Sequence, residues 1–350
     1  MTYNVSAFGQ AILAAKFSGA ELDSYIQTSE GLKAWKILLK SRYLSMIFAK
    51  PEALALLFES GTALAGLLAI NGAAIAADDG ATASVAASGS ALLTVVSDPA
   101  LFNLWNNTPA NKARLQALVN QSGSMLCREV FTSSGTWTHP AGGILALSLF
   151  GVGKGGNGTT SNNPQGGGGG GGGGIKWAFY DSSLPSSDVT VTISGTTSFG
   201  AILTFESGGG ASGTSGGTGG STTTGSAITD ATIDTALFQI ATGSQQGGVG
   251  GNGAYFSPSS GGNGGGGLGG TGGGTGGFGN PSSPYTAQGG QGGTGIGAGG
   301  GGGGSSGSGG SGSAASSGYG NGGGGAASAG GGGFAAGNNG KIVAYWIKAS

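Results

Sequence analysis

Charge is scarce in this chain. Only 8% of its 350 residues are Asp, Glu, Lys or Arg, and the formal net charge is −1. Nucleic acid and anionic membranes both call for a basic excess, so charge argues against either partner. One cysteine, Cys127, permits neither a disulfide framework nor a cysteine metal centre. Nine prolines are too few for collagen, whose glycine must also fall at every third residue. The opening MTYNVSAFGQ lacks the basic and apolar regions of a secretory signal. The longest uncharged, mostly apolar stretch, Gly61–Ala77, is near the lower limit for a membrane span and is broken by Gly66, Asn71 and Gly72.

Glycine is what the chain has in excess. Of 85 glycines, 12 fall in residues 1–150 and 73 in residues 151–350, so composition breaks near Gly151. Aromatics at 8% are unusual for a flexible linker. Low hydrophobicity with high net charge, the usual mark of disorder, is missing.

Residues 1–49 read as a helical attachment region. Ser18 and Glu21 have capping-box spacing ahead of Leu22, Tyr25 and Ile26. A second helix is predicted from about Ser29, with Leu32, Trp35, Leu39, Tyr43 and Met46 on one stripe. Residues 50–127 carry a degenerate repeat of about ten residues. Its starts are Lys50-Pro51, Ser60-Gly61, Asn71-Gly72, Ser88-Gly89, Asp98-Pro99 and Thr108-Pro109, with Asp79-Gly80 and Ser122-Gly123 weaker. Each start joins a capping side chain to proline or glycine, so each unit is predicted to be a two-turn helix. Helices this short must stack on neighbours or on other chains, which suggests a rod or attachment module without chemistry.

Residues 128–206 read as a β-rich junction. Strands are predicted around Val130-Phe131, Thr136–Thr138, Gly142–Val152, Lys176–Tyr180, Val189–Ser194 and Ala201–Phe205. Nine consecutive glycines, Gly166–Gly174, interrupt them. Residues 207–350 hold the remaining glycine runs and end on Lys341–Lys348, KIVAYWIK, predicted to pair with Gly142–Val152. A flexible linker would not be expected to end on such a strand. The glycine half is therefore read as a bundle of polyglycine II helices, whose outward-pointing backbone groups bond laterally and leave no room for side chains. The fold expected is multidomain: a short-helix repeat region, a small β junction, and a C-terminal polyglycine II bundle framed by strands.

Phe131–Trp137, the nine-glycine run, Thr197–Gly210 and the closing KIVAYWIK, in that order, resemble the glycine-rich domains of phage tail-fibre proteins, including the tip adhesins of T-even-like bacteriophages. The ten-residue repeat is similar to repeats in phage tail-fibre stems. The resemblance covers roughly residues 130–350. It implies a virion protein, made in the host cytoplasm, that leaves by lysis. Its partners would be a protein or glycan receptor on the bacterial surface and other tail-fibre or baseplate proteins, and the fibre stem suggests a homotrimer. The long helical repeat departs from the T-even adhesins and puts their mode of attachment in doubt here. The alternative is a structural or chaperone-like fibre component that binds no receptor.

Recognition falls to the interruptions between glycine runs, because loop tips on a rigid scaffold are common recognition surfaces and aromatics dominate interface energetics. Candidate receptor-binding residues are Tyr255, Phe256, Phe278, Asn280, Tyr285 and Tyr319; the competing reading is that some of these rings plug the ends of the bundle. If each run crosses the bundle once, interruptions 221–246, 278–288 and 334–339 share one end, and 254–260 and 304–319 the other. No catalytic residue, metal site or cofactor is expected. His139 precedes Pro140 as a structural polar residue, Asp230 and Asp234 suit an exposed helical turn, and Gly153–Gly155 lacks phosphate-loop spacing.

Overall fold

Side-chain caps divide the first third of the chain into helices. The computed structural model describes residues 5–119, 121–160, 167–219, 243–245, 250–251, 297, 299–301, 311–312, 318–326 and 334–349. Four helices come first: α1 (Val5–Leu13), α2 (Gly19–Ile26), α3 (Ser29–Leu38) and α4 (Tyr43–Phe48). Ser18 and Glu21 form the reciprocal capping box of α2. The repeat supplies α5 (Pro51–Glu59), α6 (Gly61–Ala77), α7 (Asp79–Ala86), α8 (Gly89–Ser97), α9 (Pro99–Asn106) and α10 (Pro109–Ala117). Ser60, Asp78, Ser88, Asp98 and Thr108 each accept a hydrogen bond from the first turn that follows. Such a cap contributes about 1 kcal/mol.

Four sequence expectations need correction. Asn71-Gly72 starts no helix. The seventeen-residue α6 runs through it, with buried Gly72 against Leu104, so a larger residue there would strike the Leu104 side chain. Ser122-Gly123 is a turn, and Gly123 has φ +86°. The predicted second helix ends at Leu38, with Tyr43 and Met46 on α4, and its stripe is not uniformly buried: Trp35 and Leu39 are buried, while Leu32 and Met46 are 41% and 50% exposed. The helices also do not stack as a linear rod. α6 meets α2, α5, α7, α8, α9 and α10, and one buried cluster runs from Phe8 through Trp35, Leu64 and Trp105 to Leu115.

Two antiparallel sheets follow. The first has order β1 (Leu126–Phe131), β9 (Lys341–Lys348), β3 (Ile144–Val152), β4 (Ile175–Tyr180), β8 (Gly243–Gln245). The second has order β2 (Gly135–Trp137), β5 (Val189–Thr192), β6 (Thr197–Phe199), β7 (Leu203–Phe205). The predicted pairing of β9 with β3 is present, and β9 also pairs with β1 along its other edge. β9 is apolar almost throughout because both its faces are covered. Val343, Tyr345 and Ile347 join the helical core; Ile342, Ala344 and Trp346 pack toward the second sheet, where Trp137 lies edge-on to Trp346 with ring centroids 5.5 Å apart.

The strands lead directly into glycine. Val152, Ile175, Phe205, Gln245 and Lys341 all lie at one end of the sheets, and each adjoins a glycine-rich segment. At the opposite end, Gly89 of α8 lies against Leu145 and the Lys348 carbonyl, and Lys348 bonds to Met125. The helices and the glycine segments thus adjoin opposite ends of the central strands.

Around residues 167–174 the backbone bonding has a period of three. Gly167, Gly170 and Gly173 donate to Ala326, Gly323 and Gly320; Gly168, Gly171 and Gly174 donate to Gly213, Gly209 and Glu206; Gly169 donates to Gly251, all at 2.7–3.0 Å. The carbonyls of Gly168, Gly171 and Gly174 accept from Thr159, Gly156 and Gly153, that of Gly169 from Gly217, and that of Gly170 from Gly300. One stretch of chain is thereby bonded on all sides to six others. Side chains have no space there: a Cβ on Gly170 would overlap the Gly156 carbonyl, and one on Gly171 the Thr218 carbonyl.

Candidate functional site

Among the described residues, those best suited to chemistry are occupied structurally or isolated. The His139 amide donates to Asp188 Oδ1 at 2.8 Å, and its ring lies edge-on to Trp137. Burial pushes the Cys127 thiol upward in pKa despite nearby Lys348. Among the described residues no three His, Cys, Asp or Glu side chains gather into a possible metal site. A hollow of about 480 Å³ between α7 and α10 contains Asp79 and Arg114, already paired with each other at 2.8 Å. Asp230 and Asp234 lie outside the described residues. Among the described residues no single helix is long and apolar enough to cross a membrane.

The glycine segments give the other candidate site, and their bonding partners fix which way each runs. Residues 153–159 leave the sheet and 167–174 return antiparallel to them. Residues 206–211 leave alongside 154–157, turn at Ser212–Ser215 and bond again at Gly217 and Thr218. Residues 320–326 leave parallel to 153–159, and 335–339 return antiparallel to both. Thr159, Gly168, Gly213 and Ala326 therefore share one level, at the far end from the sheet.

This directionality corrects the expected alternation of loops. Residues 334–339 form no loop, since Ala335 and Asn338 bond on both sides as part of the last returning segment. Interruptions 221–246 and 304–319 are expected at opposite ends, yet Gly243–Gln245 and Tyr319 both lie at the sheet: β8 pairs with β4, and the Tyr319 ring lies 4.6 Å from Lys341 Nζ. The one-run, one-crossing assumption fails because chain segments also turn within the array, as at Ser212–Ser215.

Of the six sequence candidates, Tyr255, Phe256, Phe278, Asn280 and Tyr285 lie outside the described residues. Tyr319 is half-buried, packs against the helical core cluster, and its carbonyl accepts from Gly297 at 3.0 Å. Its surroundings are those of a packing residue at the base of the array. The sequence reading passed over Phe334, which is 48% exposed next to Ala335 at the far end. A lone aromatic between GGGG and AAG was the signal available, since a buried array has no use for a ring there.

No protein-family model and no curated protein matches the chain.

Proposed function

We propose that this protein is a bacteriophage tail-fibre adhesin. Its glycine half is a polyglycine II bundle that presents recognition loops to a protein or glycan receptor on the bacterial surface. The helical half is the attachment module, joined to other fibre or baseplate proteins, and the assembled fibre is a homotrimer. The chain carries out no catalysis in this role and belongs to the virion.

The observation carrying this reading is the six-sided, three-residue bonding pattern around Gly167–Gly174. Three residues per turn is the polyproline II repeat, and one such helix surrounded by six others satisfies both backbone groups of every residue laterally. A scaffold of this kind is rigid although it has almost no side chains, which suits it to hold loops far from the cell-distal fibre. The attachment role of the helices is supported by their position at the end of the strands away from the array. Tyr255, Phe256, Phe278, Asn280 and Tyr285 are the proposed receptor contacts, and Tyr319 is a packing residue near the sheet.

The test is adsorption of labelled full-length protein to a panel of Gram-negative strains. Specific adsorption to some strains is expected, with a loss of about tenfold or more for Tyr255→Ala or Tyr285→Ala, the size of a hot-spot truncation. Tyr319→Ala should lower thermal stability instead. Fibres that assemble normally while no strain adsorbs the protein would favour the structural alternative.

A further inference from the structure

The geometry points to a neutral-sugar site at the far end of the glycine array, built on Phe334 and the neighbouring hydroxyls of Thr159, Thr160, Ser212 and Ser215. The inference rests on the adhesin reading and names the chemistry of its ligand.

Phe334 is the one large apolar side chain strongly exposed among the described residues of the glycine half. Its exposure is unlike that of a surface residue on a frayed loop. Ala335, next in the chain, donates to Gly324 at 3.0 Å and accepts from Gly158 at 3.0 Å, and its side chain is buried. The backbone beside Phe334 is thus held by two neighbouring segments while the ring is left in solvent. Burial does not explain the ring, and the run of glycines before it needs no side chain.

The surroundings select the ligand class. The pairing of 158 with 335 and of 155 with 338 sets Phe334 opposite Thr159. Segment 206–211 lies on another side of 153–159, through the bonds from Gly208 to Lys154 and from Ala211 to Asn157, and it ends in the Ser212–Ser215 turn. Thr160, Ser212 and Ser215 are exposed. The ring and the turn therefore flank one intervening segment, a span on the order of the 10 Å length of a disaccharide when lateral spacings are close to those of hydrogen-bonded strands. The described charges of residues 151–350, Lys154, Lys176, Asp181, Asp188, Glu206, Lys341 and Lys348, all lie on the strands or close to them. A phosphate or carboxylate ligand would find no counter-charge among the described residues of the far end. A neutral pyranose offers one C–H face for the ring and a rim of hydroxyls for Thr160, Ser212 and Ser215, which both donate and accept, while Thr159 Oγ1, which donates to the Thr160 carbonyl at 3.1 Å, accepts.

The experiment is binding of full-length protein to an array of neutral hexose and N-acetylhexosamine oligosaccharides, with sialylated and phosphorylated counterparts beside them. Binding to at least one neutral glycan is expected, falling tenfold or more in Phe334→Ala and largely kept in Phe334→Tyr, which retains the ring. Both variants should unfold at the wild-type temperature, because the ring is exposed. Absence of binding to every neutral glycan, a preference for the charged counterparts, or full binding by Phe334→Ala would overturn the inference. The adhesin reading is scored separately by adsorption to cells: specific adsorption that protease treatment of the cells abolishes would keep the adhesin and replace the sugar with a protein receptor.

Discussion

The amide of Gly170 donates to the carbonyl of Gly323 at 2.9 Å, and Gly323 in turn donates to Gly156, which donates to Gly171 beside the starting point. Closed circuits of this kind replace side-chain packing in the glycine half. They predict an unusual pattern of tolerance. Gly170→Ala sets a methyl group into the Gly156 carbonyl, whereas a Cβ at Gly210 meets only the Asn157 carbonyl at 3.8 Å. Gly170→Ala should destabilise by about 3 kcal/mol or more, as overpacking against backbone does. Gly210→Ala should be neutral or stabilising by about 0.5 kcal/mol through the unfolded chain. Thermal or denaturant unfolding of the two variants tests this, and equal effects would contradict it.

The closing strand should be indispensable. β9 is held by β1 on one edge and β3 on the other, and its residues 342–347 are buried on both faces. Deletion of residues 341–350 leaves β1 without a partner, frees one edge of β3 and opens both cores. The truncated protein is expected to be insoluble or to lose cooperative unfolding; a soluble product with native-like circular dichroism would show that the sheet is not the base of the array.

Much of the helical half could be read in advance, because its signals are local. Ser18, Ser88 and Thr108 cap helices where their spacing said they would, and proline at 99 and 109 begins them. Asn71-Gly72 has the same local look and misleads, since the helix is carried through it by packing of Gly72 against Leu104, thirty-two residues away in sequence. The pairing of β9 with β3 followed from a strand too apolar to be a tail, but its second partner β1 depended on register, which only the assembled sheet sets. Loop ends were the least legible. Homogeneous glycine carries no mark of where a segment reverses, so Tyr319 could not be assigned to the sheet end from sequence.

A buried polar pair offers a sharp test of the helical core. Trp105 is fully buried and its Nε1 donates to Thr82 Oγ1 at 3.2 Å, while Thr82 Oγ1 donates to the Ile75 carbonyl at 3.2 Å. Thr82→Val preserves shape and removes both bonds, leaving the indole N–H without an acceptor. A loss of about 1–3 kcal/mol is expected. A change below 0.5 kcal/mol, about the scatter for surface substitutions, would show that the pair does not form.

Acid should weaken the α2–α6 contact. Burial raises the pKa of Asp23, but hydrogen bonds from the Ser60 hydroxyl and from the Thr62 amide at 3.0 Å outweigh it and hold the carboxyl below its ordinary value. A depressed carboxylate contributes stability that is present above its unfolded pKa of about 3.9 and is lost as pH falls through the lower folded value. Wild-type stability should therefore decline below about pH 4, and Asp23→Asn should flatten that part of the profile. An unchanged acid limb in the variant would remove Asp23 from this role.

The central claim is that the glycine-rich half is a laterally bonded scaffold and not a linker. Hydrogen–deuterium exchange over residues 167–174 measures it most directly, because every amide bond described there crosses to another segment. Protection of these amides close to that of β3 and β9, lost together with the sheet on unfolding, is the predicted result. Exchange at the rate of an unstructured glycine peptide would contradict the account.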